Sequence, residues 1–115
     1  MNIYSLKPGA ILYNYAWNRC YLMLERFISL PETWRCIYRG EDGCYRIYYI
    51  YNKEFELAQD GIWKVLPGVT VSDLYLNSII RGGETGLSTL RQIFDLAEDQ
   101  VTKMKYNNEL KKENV

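Results

Sequence analysis

The stretch from Trp34 to Tyr51 constrains the fold more than any other part of the chain. Two runs rich in aromatic and β-branched residues flank Gly40-Glu41-Asp42-Gly43, and their alternation suits the two strands of a β-hairpin. A turn centred between Glu41 and Asp42 predicts that Arg39 pairs with Cys44, Ile37 with Arg46 and Arg35 with Tyr48. One face then carries Trp34, Cys36 and Tyr38 opposite Tyr49, Ile47 and Tyr45, with Tyr51 beyond. That face is bulky and apolar and is assigned to the core. The other face mixes Arg35, Arg39 and Arg46 with Ile37, Tyr48 and Ile50 and is assigned to solvent or to a partner. Side chains alternate with a period of two, so a one-residue slip would exchange the faces.

Shorter runs extend the sheet. Leu6-Lys7-Pro8-Gly9 reads as a turn, with Pro8 fixing its own φ and Gly9 free to take a positive one. Strands are expected over residues 10–15, 20–28, 54–58 and 62–66. In the second of these, Leu22, Leu24 and Ile28 form the expected inward face, interrupted by Arg26. Asn14 to Asn18 is a loop carrying Tyr15 and Trp17. Gln59-Asp60-Gly61 reads as a hairpin turn, and Pro67-Gly68 ends the β region. Short strands with turns at regular intervals argue for a small barrel or a strongly curved antiparallel sheet.

The C-terminal part changes character. Ser72-Asp73 reads as a helix start, with a short helix over about 73–81 and Gly82-Gly83 as its stop; a strand over 69–76 is the competing reading. Gly82 to Gly86 reads as a hinge. From there Leu87, Leu90, Phe94, Ala97, Val101 and Met104 recur at alternating spacings of three and four, which places them on one face of a helix over about 87–107. Ser88 or Thr85 is the expected cap. The stripe is expected to dock on the sheet, with pairing to a second copy as the alternative. The fold class is mainly β with C-terminal α (α+β), organised as a β unit over residues 1–68 and a helical extension over 69–115.

The Lys7-Pro8-Gly9 opening, an early strand, a long bent strand pair and a short final strand resemble the SH3-like barrels, the superfold that includes Tudor and KOW-type modules. The resemblance covers about residues 5 to 66 and lies in topology, without a diagnostic motif. It implies a small barrel that binds peptides, modified residues or nucleic acids.

Composition narrows the chemistry. The chain has no histidine, and its 14 Lys and Arg balance 14 Asp and Glu. Zero net charge removes the whole-chain electrostatic footprint of a nucleic-acid binder. The three cysteines, Cys20, Cys36 and Cys44, lack paired spacing and read as free thiols of a reducing compartment; Cys36 and Cys44 fall on opposite hairpin faces and are not expected to bridge. No metal site or cofactor is expected, because three scattered cysteines without histidine make a poor ligand set. Acid–base chemistry would fall to groups such as Glu54 and Glu56, expected on one strand face and read as solvated. No phosphate-binding loop or nucleophile elbow is present. No apolar run is long enough to span a membrane, and the N-terminus lacks the order of a signal peptide, so a cytoplasmic location is expected.

These readings converge on a protein without catalytic activity. Its expected role is a protein-binding regulator or inhibitor that occludes a partner's surface through Arg35, Ile37, Arg39, Arg46 and Tyr48, with Trp17 and Tyr15 as an adjoining aromatic wall. In style it is similar to small phage and mobile-element proteins that block host enzymes or defence systems. The alternatives are a nucleic-acid-binding module and a nucleotide sponge that use the same arginines and tyrosines.

Overall fold

The computed structural model describes residues 6–28, 32–57 and 62–107. The elements run β1 (Ala10–Asn14), β2 (Arg19–Phe27), β3 (Thr33–Arg39), β4 (Tyr45–Tyr51), α1 (Asn52–Leu57), β5 (Trp63–Thr70), α2 (Asp73–Arg81) and α3 (Gly83–Tyr106). All five strands join one antiparallel sheet in the order β4-β3-β2-β1-β5. The two edge strands form no ladder with each other, so the sheet stays open. The α+β class is as expected.

The sheet is nonetheless strongly curved. The Tyr21 ring on β2 lies 5.8 Å from Tyr48 on edge strand β4 and 5.4 Å from Trp63 on edge strand β5. A flat sheet would hold those two strands about 19 Å apart. Register shifts between Ala10 and Leu12 and between Met23 and Glu25 mark where the ladders bend, as bulges do.

Curvature gives the sheet two buried faces. On the concave side Leu6, Leu12, Tyr21, Met23, Trp34, Cys36, Ile50 and Trp63 form one cluster. On the other side α2 and α3 cover Ile11, Tyr13, Cys20, Leu22, Leu24 and Ile37. Tyr21 to Leu24 are therefore buried without a break, where the sequence predicts one inward face. Ile28, expected inward, is exposed.

The hairpin forms, but its register differs by one residue from the expected one. Arg39 pairs with Tyr45, Ile37 with Ile47, Arg35 with Tyr49 and Trp34 with Ile50. The cause lies in the turn. Gly43 N–H donates to the Gly40 carbonyl and Gly40 N–H to the Cys44 carbonyl, and Gly43 sits at φ 81°. This is a three-residue loop closed by a glycine in the left-handed region, not an even-numbered one. The extra residue turns β4 over relative to β3. Trp34 and Cys36 keep their core positions, but Ile50 joins them in place of Ile47, Tyr49 and Tyr51, which are all about half exposed.

Other departures are local. Residues 52–57 form helix α1 rather than a strand; Asn52 at its start is buried, with both its backbone N–H and its side-chain amide donating to Glu32. Glu54 and Glu56 therefore stand on a helix, and the strand expected to carry them is not formed. The Gln59-Asp60-Gly61 turn lies outside the described residues. Pro67-Gly68 does not end β5: the strand passes through them in a bulge, with Gly68 at φ 77° and Thr70 paired again with Ala10, a position an edge strand tolerates.

The helices share a core with the sheet. Helix α2 has the expected bounds, and no strand replaces it. Helix α3 starts one turn earlier than expected, and only Gly82, at φ 78°, separates it from α2. Gly86 is no hinge: it is buried inside α3, where a Cβ would lie 3.0 Å from the Ser78 carbonyl of α2. Neither Ser88 nor Thr85 caps α3, since both lie within it. Leu90, Phe94, Ala97, Val101 and Met104 dock on the sheet with Ile93, while Leu87 stays exposed. Among the described residues no helix is long and apolar enough to cross a membrane.

Candidate functional site

The three hairpin arginines do not share a face. Arg35 and Arg39 point to the helix-covered side, and Arg46, opposite Tyr38, points to the concave side. Each is engaged by a carboxylate. Arg35 lies 3.1 Å from Glu25, Arg46 lies 2.6 Å from Asp42, and Arg39 pairs with Asp95 at 2.8 Å and with Glu98. The last two acids stand on α3, so Arg39 clamps the helix to the sheet. Ile37 is buried beside it. The face expected to offer arginines to a partner is largely committed to the protein's own acids.

Tyr15 and Trp17 also separate. The Tyr15 ring packs edge-on to Tyr13 at 5.1 Å, on the helix side. Its hydroxyl is buried without a hydrogen-bond partner among the described residues. Burial first, and then Tyr13, raise its pKa. Trp17 goes the other way. The Asn14 side chain accepts a hydrogen bond from Trp17 N–H at 2.9 Å, an Asx-type turn. Asn18 then takes φ 50° to close the loop, held by the Tyr13 hydroxyl at 2.6 Å and Lys105 at 2.7 Å. Trp17 is thereby placed over the mouth of the concave face, 50% exposed.

Around it the sheet gathers its aromatic side chains. Trp17 makes near-perpendicular ring contacts with Tyr48 at 6.3 Å and Trp63 at 6.2 Å. Tyr38 meets Tyr48 edge-on at 6.3 Å, and Phe55 from α1 backs Trp63 at 5.2 Å. The Arg19 guanidinium lies 4.3 Å from the centre of the Tyr38 ring and donates to the Tyr21 hydroxyl at 3.4 Å. This is cation–π geometry, which holds a charged group flat against an aromatic wall. Burial pushes the Tyr21 hydroxyl up to about 12 and raises that of Tyr48. Glu54 is raised chiefly by burial, against hydrogen bonds from the Tyr51 N–H and the Tyr48 hydroxyl. The surface thus joins one half-exposed tryptophan, two half-buried tyrosines, a cation and a partly desolvated acid.

Of the expected contact residues, Trp17 and Tyr48 meet here; Arg46 lies on the same side, opposite Tyr38, but is paired with Asp42. Arg19, Tyr38 and Trp63 were not singled out by the sequence, because their convergence depends on the curvature that brings β5 towards β4. Their residue types, Trp, Tyr and Arg, were the available signal.

The remaining chemistry is sparse. Burial pushes the Cys20 and Cys36 thiols up to about 12, which withholds the thiolate a nucleophile needs. Cys44 is exposed in the hairpin turn, and all three thiols are free. A cleft of about 270 Å³ between the β1–β2 loop and α3 is lined by Asn18, Arg19, Arg39 and Glu98, with the Arg39–Glu98 pair across it. No three His, Cys, Asp or Glu side chains cluster to hold a metal among the described residues. Comparison with protein-family models, with curated proteins and with solved structures yields no match.

Proposed function

We propose that this chain is a non-catalytic protein-binding regulator or inhibitor that covers a partner's surface with its Trp17-centred aromatic face. The observation that carries the reading is Trp17 itself. It is a large side chain held half-exposed by a built loop, against Tyr48 and Trp63. Tryptophan, tyrosine and arginine are the residues that dominate interface energetics, and rigid aromatic anchors lose little entropy on binding. The strand order, with a short helix between β4 and β5, supports a likeness to SH3-like modules, in an open rather than closed form. The proposed setting remains anti-defence or host takeover in the cytoplasm.

Nucleic-acid binding and nucleotide capture rank behind, since Arg35, Arg39 and Arg46 already pair with acids. The test is a tagged pull-down from lysate, with and without nuclease, using the native chain and Trp17→Ala. A protein retained by the native chain and lost with Trp17→Ala supports the proposal. Retention of nucleic acid that falls steeply with salt, with no protein retained after nuclease, overturns it.

A further inference from the structure

The two edges of the sheet are built differently. Edge strand β5 carries Lys64, Pro67 and a glycine bulge at Gly68, the devices by which proteins keep a sheet edge from pairing. Edge strand β4, Tyr-Arg-Ile-Tyr-Tyr-Ile-Tyr from Tyr45 to Tyr51, carries no lysine, proline or bulge. Its ladder with β3 is unbroken.

The phase of its hydrogen bonds follows from its ends. Cys44 accepts from Gly40, and Asn52 donates to Glu32. In an antiparallel ladder the bonded positions alternate, so Arg46, Tyr48 and Ile50 turn their backbone groups to β3. Tyr45, Ile47, Tyr49 and Tyr51 turn theirs outward. Tyr51 is the last residue of β4 and runs directly into α1. On this outer side β4 has no neighbouring strand among the described residues, so the outward backbone groups of Tyr45, Ile47 and Tyr49 enter no ladder. Ile47 and Tyr49 are also half exposed at the side chain.

We propose that β4 pairs antiparallel with β4 of a second copy of this chain, about a twofold axis at Ile47. Tyr45, Ile47 and Tyr49 are symmetric about that position. The pairing sets Ile47 opposite Ile47 and Tyr45 opposite Tyr49 on one face, both favourable cross-strand pairs. On the other face it sets Arg46 opposite Tyr48. No like charges meet, because the strand has no acid and its one arginine is already matched by Asp42 at 2.6 Å. An isologous contact of this kind closes at two copies, joining two five-stranded sheets into one.

The experiment is sedimentation equilibrium over a wide concentration range. It compares the native chain with Ile47→Pro, Ile47→Lys and, as a control on the exposed flank of α3, Leu96→Lys. Ile47→Pro removes an outward N–H and leaves the bonds to β3. The native chain and Leu96→Lys are expected at the mass of two chains, and both Ile47 variants at the mass of one. A native chain that is monomeric at every concentration overturns the proposal, as does a dimer lost with Leu96→Lys but kept with Ile47→Lys. Amide hydrogen exchange on the native chain guards against misfolded variants. The Tyr45, Ile47 and Tyr49 amides are expected to be protected at high concentration and to exchange freely on dilution. Rapid exchange of these amides at both concentrations overturns the proposal.

Discussion

Gly9 and Gly43 both take positive φ, at 96° and 81°, but they do so under different constraints. Gly43 has open space around it, so a side chain there meets only the backbone preference. Gly9 donates to the Met23 carbonyl and accepts from Val71 N–H, and a Cβ would lie 2.3 Å from the Val71 carbonyl oxygen. Gly43→Ala is expected to cost about 1 kcal/mol, and Gly9→Ala about 3 kcal/mol or more, because the clash is with backbone and cannot be relieved by a rotamer. Urea unfolding of the two variants checks the order. The buried thiols make a second prediction at this scale. Cys20 and Cys36 rise from an ordinary 9.0 to about 12 on folding. The folded chain therefore holds protons that the unfolded chain releases. Their contribution to stability is complete below pH 9 and falls as pH rises from there towards 12. Thiol labelling of the native chain at pH 8 should modify Cys44 alone, and Cys20 and Cys36 only after unfolding.

At the scale of elements, α3 is held by an apolar stripe and by one ionic clamp. Phe94 is 1% exposed and packs against Tyr45 at 5.6 Å, so Phe94→Ala is expected to cost about 3–5 kcal/mol. Leu87 belongs to the same sequence pattern but is 51% exposed, and Leu87→Ala should fall within about 0.5 kcal/mol of the native chain. Thermal melts of the pair separate the buried part of the stripe from the rest. The stripe was readable because a helix repeats its own geometry every turn. Its first residue was not, because whether Leu87 is covered depends on where the sheet ends beneath it. The β3–β4 hairpin shows the same division. The two strands were evident in their alternation, and the faces of β4 were misassigned because Gly40 to Gly43 permit both an even and an odd loop. The choice falls to Gly43 and its hydrogen bonds, and it carries Arg46 to the opposite side from Arg35 and Arg39.

For the whole molecule, sheet and helices form one folding unit. Leu22, Ile37 and Leu66 share a cluster with Ile79, Phe94 and Val101. A chain truncated after Gly82 should therefore expose that face and aggregate; a soluble remainder with native near-ultraviolet circular dichroism would show instead that α3 is an appendage. The sequence by itself determined the strand-rich first half, the docking stripe of α3, the positive φ of Gly9 and the free thiols, because each depends on local periodicity or residue chemistry. Tertiary structure alone decided that both faces of the sheet are buried, that Arg39 pairs with Asp95 and Glu98 of α3, and that Trp17 meets Tyr48 and Trp63. The physical reason is that alternation along a strand states which residues lie together on a face, but not what covers that face. Here curvature encloses one side and the helices cover the other, and neither is written within the reach of a single strand.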